Sequence, residues 1–260
     1  MDVFWNPEKF LQFLPIFIRT SFFIFAVPMF SSQVVIPIIR LGLSFSVALA
    51  IYSGLSSAGI SFSLPVDLAS IFVGILSELF ISFLIFLIIR IFLTAPQLSG
   101  EAMSYQLGYG FMTITNPFEE NPLSVISEFF FFISMVIFFV LDLHIGFFWG
   151  LKESFKMVPP FYAVLNERFP EFFNEKISES FAVSVQIALP ILLATFIVEI
   201  STGIVSRTIP QFNIFVVGFP IKILIGLFLL AFTFDRIAFL IGEFFKKFIE
   251  VLSDSLKLSM

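Results

Sequence analysis

Six apolar stretches recur along the chain, near 10–30, 38–58, 66–94, 123–150, 180–206 and 212–242. Each is long enough to be a membrane helix, which needs about 20 mostly apolar residues. Local start signals agree. Asn6-Pro7 and Asn121-Pro122 each place a capping residue before a proline at the first helical position. Pro65 and Asp67 suit the first turn of the third stretch. Past residue 242 the pattern changes. Phe244, Phe248 and Leu252 share one face with Phe245 and Ile249, while Lys246, Lys247, Glu250 and Asp254 fill the other. That spacing predicts an amphipathic helical extension over 243–260.

The polar positions inside these stretches are unusual. The third stretch has 29 residues and holds Glu78; at ~1.5 Å per residue it spans about 43 Å, more than a hydrocarbon core of about 30 Å. The first holds Pro15, Arg19 and Pro28, and the fourth Asp142 and His144. The fifth holds Pro190 and Glu199, and the sixth Pro220, Lys222, Asp235 and Arg236. Ionisable groups at membrane depth face protein or water. Prolines there need neighbours for the carbonyls they free. Most of these helices are therefore expected to pack against other protein, including partner subunits.

Two connections stand out. Residues 95–122 hold Pro96, Gly100, Gly108, Gly110, Pro117 and Pro122 but few charges, which predicts a loop held inside the protein or a pore. Residues 151–179 mix Lys152, Lys156, Arg168 and Lys176 with glutamates and five phenylalanines, as an interfacial segment would. With six spans both termini lie on one side. Basic residues near the helix ends number eight on that side and three on the other, which favours cytoplasmic termini.

Composition narrows the class. Of 260 residues, 58% are hydrophobic, 42 are phenylalanine and only 13% are charged. Soluble domains carry roughly 25% charged residues, so a soluble enzyme is excluded and an all-α integral membrane protein is expected. With no cysteine and one histidine, thiolate chemistry and a multi-histidine metal centre are absent. A net charge of −5 gives nucleic acid no basic face. The first apolar run lacks a basic lead and a small-residue cleavage site, so it reads as retained.

Candidate chemistry is sparse. No nucleophile–base pair or nucleotide-binding motif is present, and no cofactor is expected. Glu78, Asp142 and His144 could form a proton path in a small-solute secondary transporter, though no internal repeat supports that reading. Glu78 reads equally as a buried bond to another helix, and Glu199 with Asp235-Arg236 as neutralising charge around the sixth stretch. In Leu107-Gly108-Tyr109-Gly110-Phe111-Met112-Thr113-Ile114-Thr115-Asn116-Pro117, the glycines permit sharp turns. Phe111, Met112 and Ile114 offer deformable apolar surface that could close a pore by excluding water, or could fill an ordinary buried loop. Pro210 and Asn213 mark a tight turn between the last two stretches.

At that turn, Arg207-x-x-Pro210-Gln211-x-Asn213-x-Phe215-x-x-Gly218-x-Pro220-x-Lys222 resembles the signature of the FliR family of flagellar export-gate proteins and its virulence-secretion counterpart, the SctT type. Glu78, Gln106-x-Gly108, His144, Ser154-Phe155, Pro159 and Pro190 follow the family in order, over nearly the whole chain. The chain departs from it at Phe80, Ile81 and Ser82, where a glycine is common, and at Asn116-Pro117, where the family often has Asp-Pro.

The resemblance implies a non-enzymatic, single-copy subunit of a type III protein export gate in the bacterial inner membrane, at the flagellar basal body. It implies about six long helices in bent hairpins packed on FliP-like and FliQ-like subunits, with FlhB-like and FlhA-like components nearby and unfolded proteins as cargo. Residues 1–150 would be FliP-like and 180–242 a FliQ-like hairpin within one export-gate domain, 1–260. The FliQ turn faces the cytoplasm, which sets 207–213 against the charge count and leaves orientation open. Gln106, Leu107, Gly108, Tyr109, Gly110, Phe111, Met112, Ile114, Asn116 and Pro117 are the expected pore plug. Glu78, His144, Arg207, Pro210, Gln211, Asn213, Phe215, Gly218, Pro220 and Lys222 are the expected assembly and gating contacts.

Overall fold

The computed structural model describes residues 6–27, 30, 35–57, 67–108, 124–161, 167, 169–208 and 214–257. The main elements among them are seven helices: α1 (Pro7–Ala26), α2 (Pro37–Ser57), α3 (Leu68–Leu107), α4 (Val125–Val140), α5 (Leu143–Met157), α6 (Phe169–Thr208) and α7 (Ile214–Lys257). Five are long and apolar enough to cross a membrane, and α4 with α5 makes a sixth if the pair is taken as one broken span. The protein is an all-α, multi-pass membrane protein.

Capping residues set the ends. The Asn6 side chain accepts a hydrogen bond from the Glu8 backbone N–H at 3.0 Å, with Pro7 opening α1. Ser124, rather than Asn121, caps α4 through the Ser127 N–H at 3.1 Å; Asn121 and Pro122 lie outside the described residues. Val27 is extended, as the residue before Pro28 should be, and α1 stops there. The break between α4 and α5 falls at Asp142, which adopts a left-handed conformation (φ 54°) that Asp tolerates better than most residues.

The chain forms two compact units, residues 1–93, 142–177 and 246–260, and residues 94–141 and 178–245. In the first, α1 buries Phe13, Ile16, Thr20, Phe23 and Ile24, a stripe at helical spacing. The Phe13 and Phe17 rings meet Phe45 of α2 edge-on at 5.5 and 5.9 Å, and Phe23 packs on Phe147 of α5 at 5.3 Å. In the second unit, α6 buries Ser180, Ser184, Ile187, Ala188, Ile191 and Thr195 on one face. Phe129 of α4 meets Phe234 of α7 at 6.1 Å, and Phe138 meets Phe245 at 6.5 Å. In lipid such faces associate through dispersion and hydrogen bonds, because leaving lipid for protein gains little hydrophobic energy.

Two expectations change. The span expected over 66–94, followed by a loop, is a single helix of 40 residues to Leu107. Pro96 and Gly100 sit inside it. Pro96 carries no N–H for the Phe92 carbonyl, yet the helix runs on through it, and hydroxyls bond three carbonyls of the adjoining turn. Ser184 donates to the Ala95 carbonyl at 2.7 Å, Ser127 to that of Gln97 at 3.1 Å and Ser99 to that of Pro96 at 2.5 Å. Gly100 admits α4, for an added methyl would lie 2.8 Å from the Ser127 Cα. The stretches expected at 180–206 and 212–242 likewise lengthen to Phe169–Thr208 and Ile214–Lys257, so the amphipathic extension continues α7 without a break.

Hydroxyls inside the helices mostly serve their own backbone. Ser21, Ser44, Ser134, Thr195 and Thr233 each donate to the carbonyl four residues back, at 2.6–2.8 Å. Large apolar side chains point outward along α6 and α7, among them Phe181, Phe196, Ile204, Phe228 and Phe232. Helices this apolar on their outer faces belong in lipid or against other protein.

Candidate functional site

In the first unit, Glu78 of α3 meets Arg19 of α1. Arg19 Nε donates to one Glu78 oxygen at 2.6 Å and Nη2 to the other at 2.9 Å. The third nitrogen, Nη1, donates to the Ser154 and Val158 carbonyls at 2.8 and 3.0 Å. These carbonyls close the C-terminal end of α5, where a cation is favoured. The guanidinium also lies over the Phe155 ring, 4.6 Å from its centre. Both charged side chains are fully buried. A fork–fork pair satisfies both carboxylate oxygens at once, which is what a carboxylate needs away from water.

In the second unit, the end of α3 is fixed to α6 and α7. Lys222 donates to one Glu199 oxygen at 2.6 Å, and the Gln106 amide donates to the other at 3.1 Å. Gly108 ends the helix with φ 91° and donates its N–H to the Tyr105 carbonyl at 3.1 Å. The Phe219 ring covers Gly108 so closely that any side chain there would collide with it. Leu107 is buried against Gly226, where a methyl group would strike it.

Of the expected plug residues, Gln106, Leu107 and Gly108 therefore form a helix end, and 109–117, including Tyr109, Gly110, Phe111, Met112, Ile114, Asn116 and Pro117, lie outside the described residues. Pro210, Gln211 and Asn213 also lie outside them. Arg207 is exposed in the last turn of α6, Phe215 is in the first turn of α7, and Gly218 is buried. Pro220 lies inside α7, two residues before Lys222. His144 is half-buried in the first turn of α5. The structure brings Gln106, Leu107 and Gly108 to the α7 face that carries Lys222.

Sequence reasoning missed the partner of Glu78. The available signal was a lone arginine in one apolar stretch and a lone glutamate in another, each needing an opposite charge. It placed Glu199 only broadly among the charges near the last stretch, and it gave Phe219 and Gly226 no part. A shallow groove of about 260 Å³ in the second unit, lined by Thr94, Gln97, Leu98, Glu101 and Ser127, also escaped it. One Glu101 oxygen is buried there without a hydrogen bond among the described residues.

Residues 10–248 match the model of a family described as bacterial export proteins, family 1. Over 251 residues the chain is 30% identical to the flagellar biosynthetic protein FliR of Aquifex aeolicus, covering 96% of each chain. It is 26% identical over 254 residues to that of Bacillus subtilis, again covering 96% of each. With that of Caulobacter vibrioides it shares 25% over 238 residues, 92% of this chain and 94% of the relative. The chain belongs to this family of bacterial export proteins, the one that contains the FliR proteins.

Proposed function

We propose that the chain is a membrane subunit of the flagellar type III export gate, which helps to form and seal the pore that passes unfolded proteins across the bacterial inner membrane. The observation that carries this reading is the end-to-end similarity to proteins named for flagellar biosynthesis. Its partners are FliP-like and FliQ-like membrane subunits, with FlhB-like and FlhA-like components beside them at the flagellar basal body. Residues 1–150 take the FliP-like part and 180–242 the FliQ-like hairpin. The role is passive: the chain shapes a conduit, and another component drives transport.

Within that reading, residues 106–117 close the pore and 207–222 make assembly and gating contacts. Phe111, Met112 and Ile114 exclude water and ions when packed, and part around an extended chain without reading its sequence. Deleting 110–115 in cells that carry the whole gate tests this. Ion leakage should rise, and unchanged leakage would refute the plug. Mild-detergent copurification tests the class, since a monomer or a homo-oligomer would count against a gate subunit.

The transporter alternative needs Glu78 as a proton carrier. Both of its oxygens are engaged by Arg19, so the geometry favours a structural tie. Proton-coupled uptake by the purified chain alone in liposomes would reverse that judgement.

A further inference from the structure

We propose that the groove at Glu101 is the docking site for a membrane helix of a partner subunit that carries an arginine or a lysine, whose side chain enters the groove and pairs with the Glu101 carboxylate. The proposal rests on the reading of the chain as a gate subunit, which supplies such a partner.

The groove is built on one face of α3. Thr94, Gln97, Leu98 and Glu101 line it and stand at positions i, i+3, i+4 and i+7 of that helix, a spacing that puts them on one side. Ser127 of α4 completes the lining. It comes that close because Gly100 has no side chain; an added methyl there would lie 2.8 Å from the Ser127 Cα. One Glu101 oxygen is buried in this groove with no hydrogen bond among the described residues. Leu98 and Tyr105, about one turn to either side of Glu101 on α3, are 45% and 65% exposed. An apolar rim around a carboxylate suits an apolar helix lying along α3, not a soluble basic segment. At about 260 Å³ the groove is smaller than the ~300–1,000 Å³ of small-molecule sites, a size for one side chain.

The chemistry of the lining fixes the charge of the occupant. An ionised carboxylate only accepts hydrogen bonds. The Ser127 hydroxyl donates its one proton to the Gln97 carbonyl at 3.1 Å, so it too has only lone pairs left to offer. An occupant must therefore donate, and beside a carboxylate away from water a cationic donor is favoured. Glu78 on the same helix is matched in this way, with both oxygens held by Arg19. The second unit holds no such match for Glu101. Its basic residues are Arg207, Lys222 and Arg236. Arg207 is exposed in the last turn of α6, Lys222 is bonded to Glu199, and Arg236 lies over the Phe239 ring at 5.4 Å. Residues 109–123 and 209–213 of that unit contain no lysine, arginine or histidine. The cation thus comes from another chain. A divalent metal ion is a poor substitute, because it takes about six or more oxygen ligands, several of them charged, and no three carboxylate, histidine or cysteine side chains converge among the described residues.

The test uses the full chain expressed with its native membrane partners. The chain has no cysteine, so Leu98→Cys places a single thiol on the rim of the groove. A thiol-directed photocrosslinker attached there should join an apolar helix of a partner subunit within about one turn of an arginine or lysine, as mass spectrometry of the joined peptides reads. Glu101→Gln should lower the yield of copurified complex about tenfold, since the partner's cation loses its counter-charge. The same variant purified alone should melt at the same temperature or higher, since it sheds a buried charge that the chain itself leaves unmatched. Glu101→Lys should block assembly, and changing the partner's crosslinked basic residue to glutamate should restore it. A crosslink to lipid alone, to a second copy of this chain or to a segment without a basic residue overturns the proposal. So does a Glu101→Gln complex of unchanged yield. If Glu101→Gln lowers the melting temperature of the chain alone in step with the yield, Glu101 serves the fold and the proposal is overturned. A wild-type chain that copurifies with no membrane subunit overturns the gate reading and this site with it, whereas an intact wild-type complex that tolerates Glu101→Gln overturns this site alone.

Discussion

Arg19 and Glu78, 59 residues apart in sequence, share two hydrogen bonds and no contact with solvent. The same guanidinium holds the two carbonyls that end α5. One side chain thus links three helices of the first unit.

Removing either charge should be costly. Glu78→Gln and Arg19→Leu should each destabilise the chain by about 3–5 kcal/mol, because the survivor is left charged and buried. Arg19→Leu should be the worse, since it also takes the Arg19 donor from the Val158 carbonyl, whereas the Ser154 carbonyl keeps the Val158 N–H. The double variant should cost clearly less than the sum. Heat-induced aggregation of the solubilised protein measures this, and strict additivity would show that the pair does not act as a unit.

Gly100 should tolerate no side chain. An alanine there would place its methyl group 2.8 Å from the Ser127 Cα and 2.9 Å from the Ile126 carbonyl, and backbone cannot swing aside as a side chain can. A loss of roughly 1–3 kcal/mol is expected. Gly54 has open space, and its replacement by alanine should be neutral or stabilising by up to about 1 kcal/mol. Equal melting midpoints for the two variants would contradict the close α3–α4 approach.

Ser184→Ala should weaken the α3–α6 contact by about 0.6 kcal/mol, a typical value for a hydrogen bond between membrane helices. Ser201, which bonds only within α6 and is exposed, is the control. Thermal shifts of the two alanine variants compare them directly.

Asp67 should make the start of α3 sensitive to acid. The Ser70 hydroxyl, and then the Ser70 backbone N–H, hold its carboxyl below its ordinary value. A lowered value means that the ionised form caps the helix at neutral pH. The cap is lost as pH falls through that lowered value. Hydrogen-exchange protection at Ser70 and Ile71 should therefore drop in acid and stay level in Asp67→Asn.

Much of this was legible in the chain. The apolar runs gave the spans, and Asn6-Pro7 gave the start of α1. Proline was ambiguous. Pro28 follows the end of α1, whereas Pro15, Pro96, Pro190 and Pro220 lie within helices. Pro96 stays within α3, and the hydroxyls that bond the Ala95 and Gln97 carbonyls beside it come from Ser184 and Ser127, on other helices that the local sequence does not announce. For the same reason the motif at 207–222 could be read locally, whereas the partners of Glu78 and Lys222 could not. Their separations of 59 and 23 residues leave no periodic trace.

The inward-turned hydroxyls bear on how the protein is made. A helix whose serines and threonines already bond to its own carbonyls is chemically ready for lipid as soon as it leaves the ribosome. Arg19 is not: its acceptors arrive 59, 135 and 139 residues later. At the usual pace of about 5–20 residues per second, the last of them is translated roughly 7–28 s after Arg19. Its counter-charge, Glu78, follows 59 residues behind, about 3–12 s at that pace; until then the first helix carries an uncompensated cation, and until α5 follows the guanidinium lacks its remaining acceptors.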